Sequence, residues 1–167
     1  MIEVYPNLSV GSEISCFFIE KQDWAVIHAC KSPCHQRSIG YRGSLPQNHP
    51  NYLIYEQGSH LFLNIIDPPV PLFKPELFHR SLDFISHHIS ARKVLVHCNN
   101  GFSRAPSIAL LFLAKRTRKV SNESYLKAVS DFTKLYPYYQ PGRGIATYLC
   151  QNWEIFDSNH VSQSVPS

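Results

Sequence analysis

The chain has no long apolar run and no dense basic tract, and few of its residues are charged. Its longest fully apolar stretch, IALLFLA, is far too short to cross a bilayer. Residues 1–11, MIEVYPNLSVG, have no basic patch followed by a long apolar stretch, so we expect no signal peptide and no membrane partner. Charged residues make up 17% and hydrophobic residues 44% of the 167 positions, which favours a globular chain over a disordered one. The net charge of +4 fits an anionic substrate but, without a Lys/Arg tract, gives no reason to expect nucleic-acid binding.

Cysteine occurs five times at irregular spacings, which argues against a disulfide framework. Without a secretion signal we expect a reducing compartment, and we predict a cytoplasmic protein with free thiols. The sequence also has no internal repeat and no convincing domain boundary. We therefore predict one domain over residues 1–157, a polar tail at 158–167, and a monomer.

Short apolar strands alternate with helical patterns along the chain. The candidate strands are IEVY, LSVG, WAVIHA (24–29), LFLNII (61–66) and KVLVH (93–97). Residues 30–60 have few periodic apolar positions, and we interpret them as a long surface loop. The alternation predicts an α/β fold in which helices flank a central, mainly parallel β-sheet.

Four helices are predicted from apolar residues that recur every three or four positions. Ser121 is the expected cap of the third helix. In chain order, the four apolar stripes are Phe78, Leu82, Ile85 and Ile89; Ile108, Leu111 and Phe112; Tyr125, Ala128, Val129, Phe132 and Leu135; and Ile145, Tyr148, Leu149 and Phe156.

The stretch HCNNGFSR, residues 97–104, lies between a predicted strand and a predicted helix. A loop in this position lies at the carboxyl end of a strand, where α/β folds bind ligands. Its backbone N–H groups and the helix N-terminus can surround an anion, and Gly101 permits a backbone conformation that other residues resist. The guanidinium of Arg104 can hold two phosphate oxygens. The same positive surroundings favour the thiolate form of Cys98.

A thiolate held beneath a phosphate predicts in-line attack on phosphorus and a phosphocysteine intermediate. The departing oxygen then needs a proton from another group. Asp67 follows a predicted strand and precedes Pro68–Pro69, which would place its carboxyl on a loop over the pocket. We predict that Asp67 is the general acid and, once ionised, the base that activates water. A turn-forming or helix-capping carboxylate is the alternative.

HCNNGFSR resembles the HCxxGxxR signature of the cysteine-dependent protein tyrosine phosphatases. The small size and the 31-residue spacing from Asp67 to Cys98 resemble the dual-specificity branch. VYPNLSVGSEIS is similar to that family's opening strand, VLVHCNNGFSRAPSIALLFL to its phosphate loop and helix, and YPYYQPGRGI to its late loop.

This resemblance implies a phosphocysteine mechanism that uses no metal or other cofactor. It assigns Cys98 as nucleophile, Arg104 as phosphate clamp and Asp67 as general acid, and it implies that His97 tunes the loop and the thiolate. We predict a substrate-binding set formed by the loop residues His97, Asn99, Asn100, Gly101, Phe102 and Ser103.

The chain departs from the family at Ala105, where Ser or Thr usually follows the arginine. That hydroxyl commonly hydrogen-bonds the cysteine sulfur and helps it leave the intermediate. We therefore predict slow breakdown of the phosphocysteine unless Ser103 or Ser107 substitutes. The departure also leaves open a second function, a phosphate-binding pseudophosphatase without turnover.

The loop contains no lysine, whereas members of the family that act on phosphoinositides tend to carry lysines there. A phosphorylated protein or a simple aryl phosphate is therefore the favoured substrate. Lys31, Arg37 and Arg42 in the long loop can also supply positive charge. Nucleotide, RNA and lipid phosphates stay open as alternatives.

HACKSPCH, residues 28–35, brings together four potential zinc ligands: His28, Cys30, Cys34 and His35. The spacing is not that of a familiar zinc knuckle and no second ligand pair follows, so we predict no metal site. A border of the substrate pocket and a purely structural role are the other interpretations, with a redox partnership between Cys98 and Cys30 or Cys34 as a variant.

Three tyrosines, Tyr136, Tyr138 and Tyr139, follow the third predicted helix. They could form an aromatic wall for a phosphotyrosine ring. Aromatic residues at a helix end are more often core, and we favour that interpretation.

Overall fold

The computed structural model describes residues 1–20 and 22–157, so the tail predicted at 158–167 lies outside the described residues. These residues form one α/β domain around a six-stranded sheet. The strands are β1 (Ile2–Tyr5), β2 (Leu8–Ser12), β3 (Trp24–His28), β4 (Ile54–Gln57), β5 (His60–Leu63) and β6 (Lys93–Cys98), and their order across the sheet is β1-β2-β6-β3-β5-β4.

The four central strands are parallel, and β1 and β4 pair antiparallel at the two edges. The mainly parallel sheet predicted from the apolar runs is therefore confirmed. The register places Cys98 of β6 opposite Ser12 of β2, and His97 opposite His28 of β3. Because parallel strands end at the same edge of a sheet, the segments that follow these strands meet at one place.

Six α-helices are present in the described part of the chain. They are α1 (Glu13–Phe17), α2 (Gln36–Ile39), α3 (Pro75–His88), α4 (Arg104–Phe112), α5 (Tyr125–Leu135) and α6 (Arg143–Gln151). Helix α4 is buried from Ala105 to Phe112 because it contacts β2 and β6 as well as α3 and α5. Within residues 1–20 and 22–157, every helix is too short or too polar to cross a membrane.

Two predicted helix ends are wrong. Ser124, not Ser121, caps α5, and its side chain accepts the backbone N–H of Lys127 at 3.3 Å. Ser121 lies outside the helix because its own N–H donates to Asp131, at 3.1 Å. The fourth predicted helix corresponds to α6, which ends at Gln151. Phe156 reaches the core from a separate 3₁₀ turn, Trp153–Phe156.

The loop predicted over 30–60 and the strand predicted over 61–66 are correct only in part. The loop contains a kinked turn (Lys31–His35) in which Ser32 is not helical, together with α2 and β4, and β5 already begins at His60. The strand ends at Leu63 because Asn64 leaves the sheet, and its N–H and side-chain amide donate to the carbonyls of Leu53 and Tyr52, respectively.

Candidate active site

The loop between β6 and α4 closes tightly over the sulfur of Cys98. The backbone N–H of Gly101 donates to Cys98 Sγ at 3.3 Å, and the cysteine is buried. Gly101 has φ +79°, and a Cβ there would approach the carbonyl group of Gly11 to 3.0 Å. Both the backbone conformation and the close approach therefore require glycine.

The guanidinium of Arg104 is fixed where three strands end. Its Nη1 donates to the carbonyl oxygens of Ala29 and Ile65, which follow β3 and β5, each at 3.2 Å. Its Nη2 donates to the side-chain oxygen of Asn99 at 2.8 Å. Its Nε is buried and has no hydrogen-bond partner among the residues that the structure describes. These bonds use three of the five guanidinium N–H groups, and the buried Nε–H is oriented for an acceptor outside the chain.

Asn99 joins the loop to two neighbouring segments. Its side-chain amide donates to the carbonyl oxygen of Ser32 at 2.9 Å and to the carboxylate of Glu13 at 3.3 Å. Its own carbonyl accepts the backbone N–H of Glu13 at 3.2 Å. The Asn99 side chain therefore holds Arg104 and the loop in position, whereas Asn100 and Phe102 are exposed.

Asp67 is exposed and lies directly against Gly142. A Cβ on Gly142 would be 2.5 Å from Oδ1 of the carboxylate. The N–H of Gly142 donates to Ser103 Oγ at 2.9 Å, so the same glycine contacts both the acid and the loop. The structure thus brings together the three predicted catalytic elements: the cysteine loop, the arginine and the Asp67 segment.

Residues 136–142, named here the 136–142 segment, form hydrogen bonds with the loop between β6 and α4. The Tyr136 hydroxyl donates to the carbonyl oxygen of Gly101 at 2.9 Å. The N–H of Gln140 donates to the carbonyl oxygen of Phe102 at 2.8 Å. Burial, together with the nearby Cys98, raises the pKa of Tyr136 to about 12, so its hydroxyl keeps its proton at neutral pH.

Tyr139 is also buried and shares a hydrogen bond of 2.9 Å with Ser107 and one of 3.0 Å with Tyr125. Tyr138, in contrast, is 57% exposed. The prediction that these tyrosines belong to the core is therefore confirmed for Tyr136 and Tyr139, and wrong for Tyr138.

His97 begins a row of three histidines across the sheet. Its Nε2 lies 2.7 Å from Nδ1 of His28, and Nε2 of His28 lies 3.0 Å from Nδ1 of His60. His97 is fully buried. This surrounding fits the predicted tuning role, and it indicates that His97 positions the loop from within the sheet.

Ser103 and Ser107, whose hydroxyls could replace the missing one at position 105, both have hydrogen-bond partners, but an oxygen that accepts a hydrogen bond still has its O–H to donate. Ser103 Oγ accepts the N–H of Gly142, and Ser107 Oγ bonds the Tyr139 hydroxyl. Ala105 itself is buried.

His35 does not face the other potential ligands of HACKSPCH. Its two ring nitrogens lie 2.9 Å from the Tyr41 hydroxyl and 3.0 Å from the carbonyl oxygen of Asn51. Burial lowers the pKa of His35, which favours the neutral ring.

Sequence reasoning missed Glu13, Gly142 and the partners of His97. The PGRG stretch carried a usable signal, since paired glycines often mark a close backbone approach. Gly144 fits that pattern, because a Cβ there would clash with the carbonyl oxygens of Pro68 and Val70.

No protein-family model matches the sequence. Solved structures do share the fold. DUSP15 is 19% identical with a TM-score of 0.64, and the match covers 92% of this chain and 87% of that chain. Human DUSP28 is 18% identical with a TM-score of 0.62 and 92% coverage of each chain. The human tyrosine phosphatase-like serine/threonine/tyrosine-interacting protein is 19% identical with a TM-score of 0.62, covering 92% of this chain and 95% of that one. The fold is therefore that of the dual-specificity phosphatases.

Proposed function

We propose that the protein hydrolyses phosphate monoesters through a phosphocysteine intermediate on Cys98. The observation that carries this proposal is the buried Nε donor of Arg104, beside a loop that curls over a cysteine sulfur. A buried donor without an acceptor costs about 1–3 kcal/mol, and a charged one costs more. A phosphate oxygen is a strong acceptor for a guanidinium, so binding a phosphate would remove that cost.

In the first step the Cys98 thiolate attacks phosphorus, forming the S–P bond while the bond to the leaving oxygen breaks. Asp67 gives its proton to that oxygen. In the second step the Asp67 carboxylate takes a proton from water, the water oxygen attacks phosphorus, and the Cys98 sulfur leaves as thiolate. Arg104 binds phosphate oxygens in both steps, and no metal takes part.

A phosphorylated protein is the proposed substrate, with phosphotyrosine as the leading target and phosphoserine or phosphothreonine as further ones. Ile66 precedes Asp67 and Phe102 lies in the cysteine loop, whereas Tyr138 belongs to the 136–142 segment that contacts this loop. These exposed side chains suit an aryl group and flanking peptide. Lys31 and Lys74 line a cavity of about 270 Å³ that also borders Ile66, and acidic residues of a peptide would be attracted there.

The test is hydrolysis of phenyl phosphate and of a phosphotyrosine peptide in excess chelator. We expect wild type to turn over both, Cys98→Ser to be inactive, and Asp67→Ala to lose about 10²–10⁴-fold with phenyl phosphate, whose leaving group is poor. Loss of activity in chelator would contradict the metal-free mechanism. Full activity of Cys98→Ser would exclude the proposed nucleophile.

Phosphate binding without sustained turnover is the second candidate, and Ala105 favours it because its side chain brings no hydroxyl to the sulfur of Cys98. One equivalent of released phenol per protein, followed by no further release, would support this candidate over the first. Steady multiple turnover would reject it.

A further inference from the structure

A second group of reactive side chains lies behind the loop, at the shared end of β3 and β6. Cys30 follows β3, Cys34 lies in the kinked turn after it, and His97 precedes the nucleophile on β6. The N–H of Ala29 donates to the carbonyl oxygen of His97 at 2.8 Å, which joins the two segments. One side-chain ligand atom from each of Cys30, Cys34 and His97 lies within 4.8 Å of the other two.

Two thiols and an imidazole are the donor set that zinc prefers. With Zn–S bonds near 2.3 Å and Zn–N bonds near 2.0–2.1 Å, tetrahedral ligands are separated by about 3.5–3.8 Å. The observed separations, which are within 4.8 Å, therefore need to shorten by about 1.3 Å at most. Rotation of a cysteine side chain can supply a shift of that size.

The two thiols also interact directly. A hydrogen bond from the Cys34 thiol lowers the pKa of Cys30, helped by the Cys34 backbone N–H and by the charge of Arg104. The same hydrogen bond, with burial, raises the pKa of Cys34. The two sulfur atoms are therefore close enough to interact, in line with their spacing of at most 4.8 Å.

An open cavity gives access to this group. It has a volume of about 420 Å³ and is lined by Cys34 and His97, as well as by Cys16, His28 and Glu13. Cys34 is half-buried, whereas Cys30 is fully buried. An ion can therefore arrive from the cavity side, whose charged lining residues are Glu13 and Arg37.

We propose that Cys30, Cys34 and His97 bind one zinc ion, with water from the cavity as the fourth ligand. His97 binds through Nδ1 and keeps its Nε2 contact with His28, which orients the ring as an outer-shell partner does. Binding releases thiol protons to solvent, so zinc affinity falls as the pH is lowered. The site uses neither Cys98 nor Arg104 as a ligand, so its test does not depend on phosphatase activity.

The experiment uses full-length protein with Cys98→Ser and Cys150→Ser, which removes the nucleophile and an exposed thiol of α6. Zinc affinity is measured under a phosphine reductant by competition with a chromophoric chelator, and cobalt(II) is bound in parallel. We expect one zinc per chain and a thiolate-to-cobalt charge-transfer band. Adding Cys30→Ser or Cys34→Ser is expected to weaken zinc binding by more than ~100-fold, because loss of an outer-shell partner alone costs 10–100-fold.

Cys16→Ser is the matched control, because Cys16 belongs to a different candidate triad, with His28 and His97. We expect this variant to keep the zinc affinity and the cobalt band. If Cys16→Ser abolishes binding while Cys30→Ser does not, the ligand set is wrong. If zinc binds equally to all variants, or fails to bind the parent protein, there is no site here. Circular dichroism of each variant without metal shows whether its fold is kept, and His97→Gln gives an independent ligand deletion.

Discussion

Adding a single methyl group at Gly142 should impair proton donation by Asp67 and leave nucleophilic attack by Cys98 intact. A Cβ there would be 2.5 Å from Oδ1 of Asp67, and ordinary contacts begin near 3.4 Å, so the carboxylate must move by about 1 Å. Gly142 has φ −59° and ψ 151°, which alanine adopts without strain. The Gly142→Ala substitution therefore perturbs the contact with Asp67 rather than the backbone.

A misplacement of about 1 Å can cost on the order of 10²-fold in rate. We expect Gly142→Ala to lower kcat about 100-fold with phenyl phosphate, which needs a proton on its leaving oxygen. With p-nitrophenyl phosphate, whose leaving group needs little protonation, we expect a loss of about tenfold or less. The assay is steady-state hydrolysis of both compounds at the same pH.

The control is the same substitution in an Asp67→Ala background. With the carboxylate removed, the added methyl group no longer meets it, so Gly142→Ala should change the remaining activity little. Equal losses with both leaving groups, or an undiminished effect in the Asp67→Ala background, would show that the glycine acts through the loop instead.

Three further predictions concern other parts of the molecule. Tyr136→Phe leaves the buried Gly101 carbonyl without its donor, and we expect the free energy of unfolding to fall by about 1–3 kcal/mol in urea titrations; an unchanged value would mean that the hydrogen bond contributes nothing. Ala105→Ser should speed breakdown of the phosphocysteine and remove any pre-steady-state burst of phenol, and a burst of unchanged size would contradict that role. Burial lowers the pKa of His35. As the pH falls below about 6.5, the His35 ring therefore binds a proton in the unfolded chain before it does so in the folded chain, and the free energy of unfolding decreases. We expect Tm to fall between about pH 7.5 and about pH 5.5, and less steeply in His35→Gln; identical slopes would exclude His35 as a source of the pH dependence.

The fold could be predicted because its central strands are short apolar runs, and because β5 and β6 are followed by the longer helices α3 and α4. The cysteine loop was predictable for a similar reason, since its residues are contiguous and glycine, cysteine and arginine each have one clear purpose there. Short elements such as α1 and β4 escaped detection because four or five residues carry too little periodicity. The strand predicted to reach Ile66 ended early because Asn64 found hydrogen bonds outside the sheet.

Contacts between distant segments could not be predicted from the sequence. The pairing of Asp67 with Gly142 depends on how two loops pack, and nothing local to either residue encodes it. The sequence places His35 directly after Cys34, which makes it the apparent partner of the two thiols. The structure instead directs His35 toward Tyr41 and supplies His97 from another strand.

The hydrogen bonds along the row of three histidines couple the tautomers of the rings. A neutral imidazole has one donor nitrogen and one acceptor nitrogen, so a hydrogen bond between two such rings requires opposite roles at the facing atoms. The tautomer of His60, which is half-exposed, therefore dictates that of His28 and then that of His97. Reversing the dipole of the His97 ring therefore needs one proton gained at His60 Nε2 and one lost from His97 Nδ1, while the heavy atoms stay in place.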